Sequence, residues 1–214
     1  MKKNNQLLFF FAILLIIGGA FLLSENYIND KIDKSFNTMN LKLLALNEEI
    51  KEEKTSQNEE VVIDDVSDTT IDVEEEKKIK EINYNYIGKL KIPKIGLEQG
   101  FVDKNSKYNS VDYGIEILKE SSFPNVNKSN LIMLSHSGSS YRAKFKELYK
   151  LKLGDLCYID YQGKVYKFKI TKIYNKPKIG KVIIDRDYNK TTLTLITCTH
   201  NSKTEQTIYI AELA

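Results

Sequence analysis

Residues 51–80, KEEKTSQNEEVVIDDVSDTTIDVEEEKKIK, contain no aromatic residue and are dominated by acidic side chains. Such a stretch cannot bury enough apolar surface to offset the entropy lost on ordering it. It reads as a self-repelling flexible linker over 51–83, and it divides the chain into two parts that must find their structure separately. Between residues 48 and 76, thirteen Asp/Glu stand against two Lys; residues 77–214 carry twenty-five Lys/Arg against thirteen Asp/Glu. The net charge of +3 therefore hides an acidic spacer joined to a basic domain. A basic domain can face an anionic membrane or polymer as well as nucleic acid. The lysines here are scattered among strands with no aromatic-interleaved strip, so no nucleic-acid partner is expected.

On the N-terminal side, Leu7 to Leu23 is a run of 17 residues without a charge, at the short end of the roughly 20 residues a membrane-spanning helix needs. Lys2 and Lys3 precede it, and Glu25 and Asp30 follow. The positive-inside rule then makes 1–6 a cytoplasmic tail and 7–23 a single-pass anchor, with the remainder outside the cell. GGAFLLSEN offers a poor cleavage site, so the run reads as an uncleaved anchor rather than a signal peptide. Over 24–50, Ile28, Ile32, Phe36, Met39, Leu43, Leu46 and Ile50 recur at spacings of four and three. That predicts a juxtamembrane helix with one apolar stripe, too short for a stable coiled coil by itself.

Residues 84–214 change character. YIGKLKIPKIGL alternates and breaks at Pro93 and Gly96, SNLIMLSHSG is an apolar run ending in a Ser/Gly loop, and KFKELYKLKLGD suggests a short helix before a turn. LCYIDYQGKVYKFKITKIY reads as a hairpin about YQGK, and TTLTLITC and QTIYIAEL as two final strands. Many short strands with little helix predict an all-β domain, closed or sandwiched.

The two cysteines cannot form a disulfide framework, and a single Cys157–Cys198 bridge and free thiols are both consistent with the sequence. No clustered Cys/His spacing suggests a metal. Cys157 alternates with Leu156 and Tyr158 inside a strand, where a thiol serves as a small hydrophobe. Cys198 stands where LTLI gives way to the polar loop THNSKTEQ, so it belongs at a strand end near solvent. His136 follows NLIML at the start of another loop. A Cys and a His at two strand ends are the arrangement that a nucleophile–base pair assembled by a β fold requires, since an imidazolium stabilises a thiolate. His200, two residues past Cys198, is a second candidate of lower rank.

These segments resemble the sortases. Thr194–Cys198 matches the family's T-L-x-T-C signature, LIMLSHSG looks like its strand-and-histidine segment, and IGKLKIPKIGL looks like its opening strand. FKELYKLKLGDLCYIDYQGKVYKFKITKIY is similar to the family's segment beyond the histidine, and the order anchor, linker, β domain is also the family's. The resemblance spans Tyr86 to Leu213. It implies a closed eight-stranded β-barrel with short helices and a membrane-bound cysteine transpeptidase outside a Gram-positive-type cell. Cys198 would attack the Thr–Gly bond of an LPxTG-like sorting signal and form a thioacyl enzyme. His136 would act as general acid/base, and an amine of peptidoglycan or of a pilin lysine would release the product. No cofactor is implied.

One departure stands out. Aligning IYIA with the family's last strand leaves Gln206 or Thr207 where an arginine helps hold the substrate and its oxyanion. Gln206 supplies neither charge nor a bidentate fork. The candidates for that role are Gln206 itself, the two arginines of the chain, Arg142 and Arg186, and Thr197 beside the cysteine. A catalytically weak or silent protein that binds sorting signals or wall polymer is the alternative. The short segment between KITKIY and TLTLITC and the lack of an Asp-aromatic lid point to a class A- or D/E-like member rather than B or C.

Overall fold

The alternating segments pair into one sheet in the computed structural model, which describes residues 2–56, 84–180 and 182–214. β1 (Gly88–Ile92) and β2 (Leu97–Phe101) are joined by a 3-10 turn at Pro93–Ile95. Pro93 opens that turn and Gly96 closes it in the left-handed region at φ 62°. β3 (Glu116–Ile117), β4 (Asn130–Leu134), β5 (Leu156–Tyr161), β6 (Lys164–Pro177), β7 (Thr192–Cys198) and β8 (Glu205–Leu213) come next along the chain. The strand order is β2-β1-β5-β6-β8-β7-β4-β3, curled into a nearly closed barrel whose edges are β2 and β3. Every pairing is antiparallel except β4 with β7. The β5–β6 hairpin turns at Gln162 and Gly163, both at positive φ, the combination a tight two-residue turn needs.

Burial reflects how many faces each strand must cover. β5 buries alternate residues, Cys157, Ile159 and Tyr161, as a strand with one wet face does. β7 is buried along nearly its whole length because both of its faces are covered. Leu193 and Leu195 enter the main core with Leu131, Met133 and Phe168. Ile196, on the opposite face, joins Ile132, Ile208 and Ile210 in a second cluster roofed by Val182 and Ile184 of the β6–β7 loop. That double cover explains why even the alternating threonines Thr192 and Thr194 are buried, their hydroxyls donating to Asn130 Oδ1.

Two expectations are corrected. KFKELYKLKLGD is not a helix: it forms turns with one 3-10 turn at Leu148–Lys150, although Phe145 and Leu148 do enter the core. So short a segment cannot repay the cost of helix nucleation unaided. At the N-terminus, anchor and juxtamembrane helix are one element, α1 (Lys2–Ser56), which also takes up the first six residues of the expected linker. Residues 57–83 of that linker lie outside the described residues, as do the side chains of 7–9 and 20–23 in the expected anchor. Among the described residues no helix is long and apolar enough to cross a membrane.

The apolar stripe predicted on α1 is not the feature that fastens it to the barrel. Ile28, Ile32 and Leu46 are exposed, and Phe36, Met39 and Leu43 are half-buried. Polar side chains roughly a third of a turn around the helix make the contact instead. The Asn37 side chain donates to Glu98 O at 3.0 Å and accepts from Gly100 N at 3.1 Å, on the β2 edge. Buried Asn40 accepts from Tyr84 N at 2.8 Å, and Glu48 accepts from Gly163 N at 3.0 Å in the β5–β6 turn.

Candidate active site

The parallel pairing of β4 with β7 brings the two candidate segments together. Leu134 is the partner of Ile196, and the ladder continues past the end of β4, where Ser135 N donates to Ile196 O at 3.4 Å. Thr197 Oγ1 donates to Ser135 O at 2.8 Å and ties the two strand ends. Leu131 and Met133 point into the main core, whereas Ile132 and Leu134 belong to the second cluster with Ile196. Continued two residues past the end of β4 at Leu134, the β4–β7 register would set His136 opposite Cys198 at a strand spacing of about 4.8 Å. The cleft beside Cys198, however, is lined by Ser137, Ser139 and His200 and not by His136. His136 is about half exposed, with Nε2 at 3.8 Å from Asp112 Oδ1. Cys198 is half-buried and its thiol is free.

Cys157 differs in kind. It is fully buried in β5 opposite Phe168, and burial pushes its thiol up to about 12. It packs and does not react. No Cys157–Cys198 bridge forms; both cysteines are free.

An open cleft of about 700 Å³ adjoins Cys198, lined by Ser137 and Ser139 from the histidine loop and by Thr199–Lys203 from the β7–β8 loop. Lys146, Glu147 and Tyr149 also line it. Glu147 pairs with Lys150, whose ammonium group holds its carboxyl below the usual range. Lys146 and Lys203 thus set the charge of the cleft. His200 lines it as well, stacked on Tyr149 with ring centres 4.1 Å apart. Among the described residues no group of three or more His, Cys, Asp or Glu is disposed to hold a metal ion.

Gln206 stands directly opposite Cys198 in the β7–β8 ladder, and Lys176 directly opposite Gln206 in the β6–β8 ladder. The three share a face of the sheet. Gln206 Nε2 donates to Pro177 O at 3.1 Å. Arg186 is elsewhere. Its guanidinium binds Lys190 O at 3.1 Å and Thr192 Oγ1 at 3.4 Å, at the opposite end of β7. Six residues of strand, about 20 Å, separate that end from Cys198. Arg142 is exposed and bonded to the Tyr141 hydroxyl at 2.9 Å, and neither arginine lines the cleft. Thr197 is buried and spends its hydroxyl on the β4–β7 tie, not on a ligand.

The sequence reading missed Asp112, Tyr149 and Lys176. Asp112 sits in a turn, VDYG, with no periodic signal, and Lys176 joins the row only through cross-strand register.

This fold is matched by known proteins. The model of the Sortase domain matches residues 90–214. The chain belongs to the sortase family. It is 31% identical over 139 residues to sortase A of Streptococcus agalactiae, an alignment covering 63% of this chain and 55% of that protein. The chain thus spans about half the length of that curated sortase. Among solved structures, a lid mutant of sortase A from Corynebacterium diphtheriae superposes with TM-score 0.52 at 24% identity, over 60% of this chain and 70% of that one. A Clostridium perfringens sortase D5 transpeptidase gives 0.52 at 22% identity, over 66% and 88%. A C. perfringens sortase C with a C-terminal cell wall sorting motif gives 0.53 at 22%, over 61% and 71%. At these identities the structures establish the sortase barrel, and their names span classes A, C and D.

Proposed function

We propose that this sortase is a membrane-anchored cysteine transpeptidase acting on an LPxTG-like sorting signal. The observation that carries the reading is the β4–β7 register, continued to His136 and Cys198 on one face. An imidazolium beside the thiol favours the thiolate, which attacks the scissile carbonyl. His136 then protonates the departing amine, leaving an acyl group on Cys198 as a thioester. In the second half, His136 takes a proton from an incoming peptidoglycan or pilin amine, which attacks the thioester and expels the thiolate. Gln206 offers an amide N–H to the oxyanion.

The second apolar cluster supports a peptide substrate. It leads along β7 from Cys198 beneath the β6–β7 loop, where Ile179 and Ile183 are 92% and 70% exposed. An apolar residue preceding the scissile bond would pack on the exposed Ile179 and Ile183 of that loop. The β6–β7 connection holds no helix among the described residues, in keeping with a class A- or D/E-like enzyme. Leu7–Leu23 is the anchor, with the N-terminus cytoplasmic and the catalytic domain outside.

A second reading rests on Gln206. It is neutral, and neither arginine lines the cleft, which favours a sortase-fold protein that binds sorting signals without turning them over. The full-length chain in detergent micelles, given an LPxTG peptide and an amine acceptor, separates the two. The transpeptidase gives an acyl-enzyme mass adduct, abolished by Cys198→Ala, and His136→Ala slows it by about 10²–10⁴. Peptide binding without an adduct supports the silent protein, and no binding at all rejects both.

A further inference from the structure

Lys144 lies eight residues beyond His136, and its side chain is only 8% exposed. A lysine so buried needs a partner. Its ammonium group pairs with Asp33 of α1, whose side chain is 22% exposed, and also donates to Tyr141 O at 3.0 Å. Its backbone N–H donates to Ser135 Oγ at 3.2 Å, and Ser135 Oγ donates in turn to Gly114 O at 2.6 Å. The next residue, Phe145, donates its N–H to His136 O at 3.1 Å. The segment at Lys144 is therefore tied through its main chain to Ser135 and His136, and through its side chain to α1. The helix is no loose partner, because Asn37, Asn40 and Glu48 fix it to three other parts of the barrel.

We propose that α1 is a positioning element for catalysis. The Asp33–Lys144 ion pair holds the 137–144 loop closed on the end of β4, and so sets where His136 stands relative to Cys198. The proposal rests on the catalytic reading of His136 given above. Removing the carboxylate leaves a buried ammonium group unpaired, and the lysine regains water only by swinging outward and taking its loop along. The β6–β7 loop with its exposed Ile179 and Ile183 is untouched by that movement, so peptide binding persists while turnover falls.

The test uses the full-length chain in detergent micelles, with Asp33→Asn, Asp33→Glu and Lys144→Met. Amide hydrogen exchange over 137–145 and over β8 is measured by mass spectrometry, together with kcat and KM for an LPxTG peptide. Asp33→Asn and Lys144→Met are expected to speed exchange of the loop by about tenfold or more while β8 keeps its protection. The same variants should lower kcat by about tenfold with KM nearly unchanged, and Asp33→Glu should restore both. Unchanged loop exchange overturns the proposal, as does equal loosening of loop and β8, or an Asp33→Glu variant as impaired as Asp33→Asn. Should the wild-type chain form no acyl adduct, the catalytic reading falls separately, and selective loosening of the loop still decides whether the helix holds it.

Discussion

Replacing Gln206 tests how this chain manages the oxyanion without the family's arginine. Gln206 and Cys198 are directly opposed residues of neighbouring strands, with Cβ atoms about 4.5–5.5 Å apart in such pairs. The amide is bonded to Pro177 O on β6, on the far side of β8 from Cys198, and would turn across β8 to serve the space over the sulfur. A primary amide has two N–H donors; one is engaged by Pro177 O at 3.1 Å, leaving the other for developing negative charge. A hydrogen bond to a charged partner contributes about 1.5–3 kcal/mol. Gln206→Ala should then lower the acylation rate by roughly tenfold to a hundredfold. Gln206→Arg adds charge and a fork, but Lys176, opposite it on β6, repels the new cation and holds the gain to about tenfold or less. The assay is single-turnover acylation of an LPxTG peptide, quenched and weighed as the intact acyl-enzyme. A Gln206→Ala variant that acylates at the wild-type rate refutes the reasoning.

Asp112 lies 3.8 Å from His136 Nε2 but is 71% exposed. Asp112→Asn should therefore cost only about two- to fivefold in kcat/KM at low salt, and the loss should fade in 1 M salt; a loss insensitive to salt counts against the contact. Ellman's reagent at pH 8 should titrate one thiol in the folded chain and two after denaturation, because Cys157 is held neutral by burial. The unfolded Cys157 thiol ionises from about pH 8.5 upward, whereas the folded one stays neutral until about 12. Its contribution is thus present below pH 8.5 and lost as pH rises toward 12. Denaturation midpoints should fall between pH 8 and 10.5, and fall less in Cys157→Val. Tyr209, raised to about 12 by the same burial, keeps some of the slope.

Strands of the barrel were readable because alternation in LCYIDY and the turn residues at YQGK are local signals with local causes. The strand ends that precede His136 and carry Cys198 are neighbours through a parallel pairing between segments 62 residues apart. The sequence suggests a Cys–His pair at two strand ends but carries no local signal of that pairing. Arg186 misled for a related reason: a loop that precedes the cysteine strand in sequence attaches to that strand's far end. KFKELYKLKLGD carried a helical pattern that packing of Phe145 and Leu148 satisfied with turns alone. On α1, apolar periodicity drew attention to Ile32 and Leu46, while the residues that dock it are Asp33, Asn37, Asn40 and Glu48. Asparagine and aspartate are common on wet helix faces, so their pattern announces nothing until a backbone meets them.

Asn37 satisfies both a carbonyl and an amide on the rim strand β2, much as a further strand would. A fragment trimmed to begin at Tyr84 would leave that rim open, ready to recruit another copy by ribbon pairing. Material prepared in that shortened form should self-associate with rising concentration, while the uncut protein, carrying its own stopper, should not.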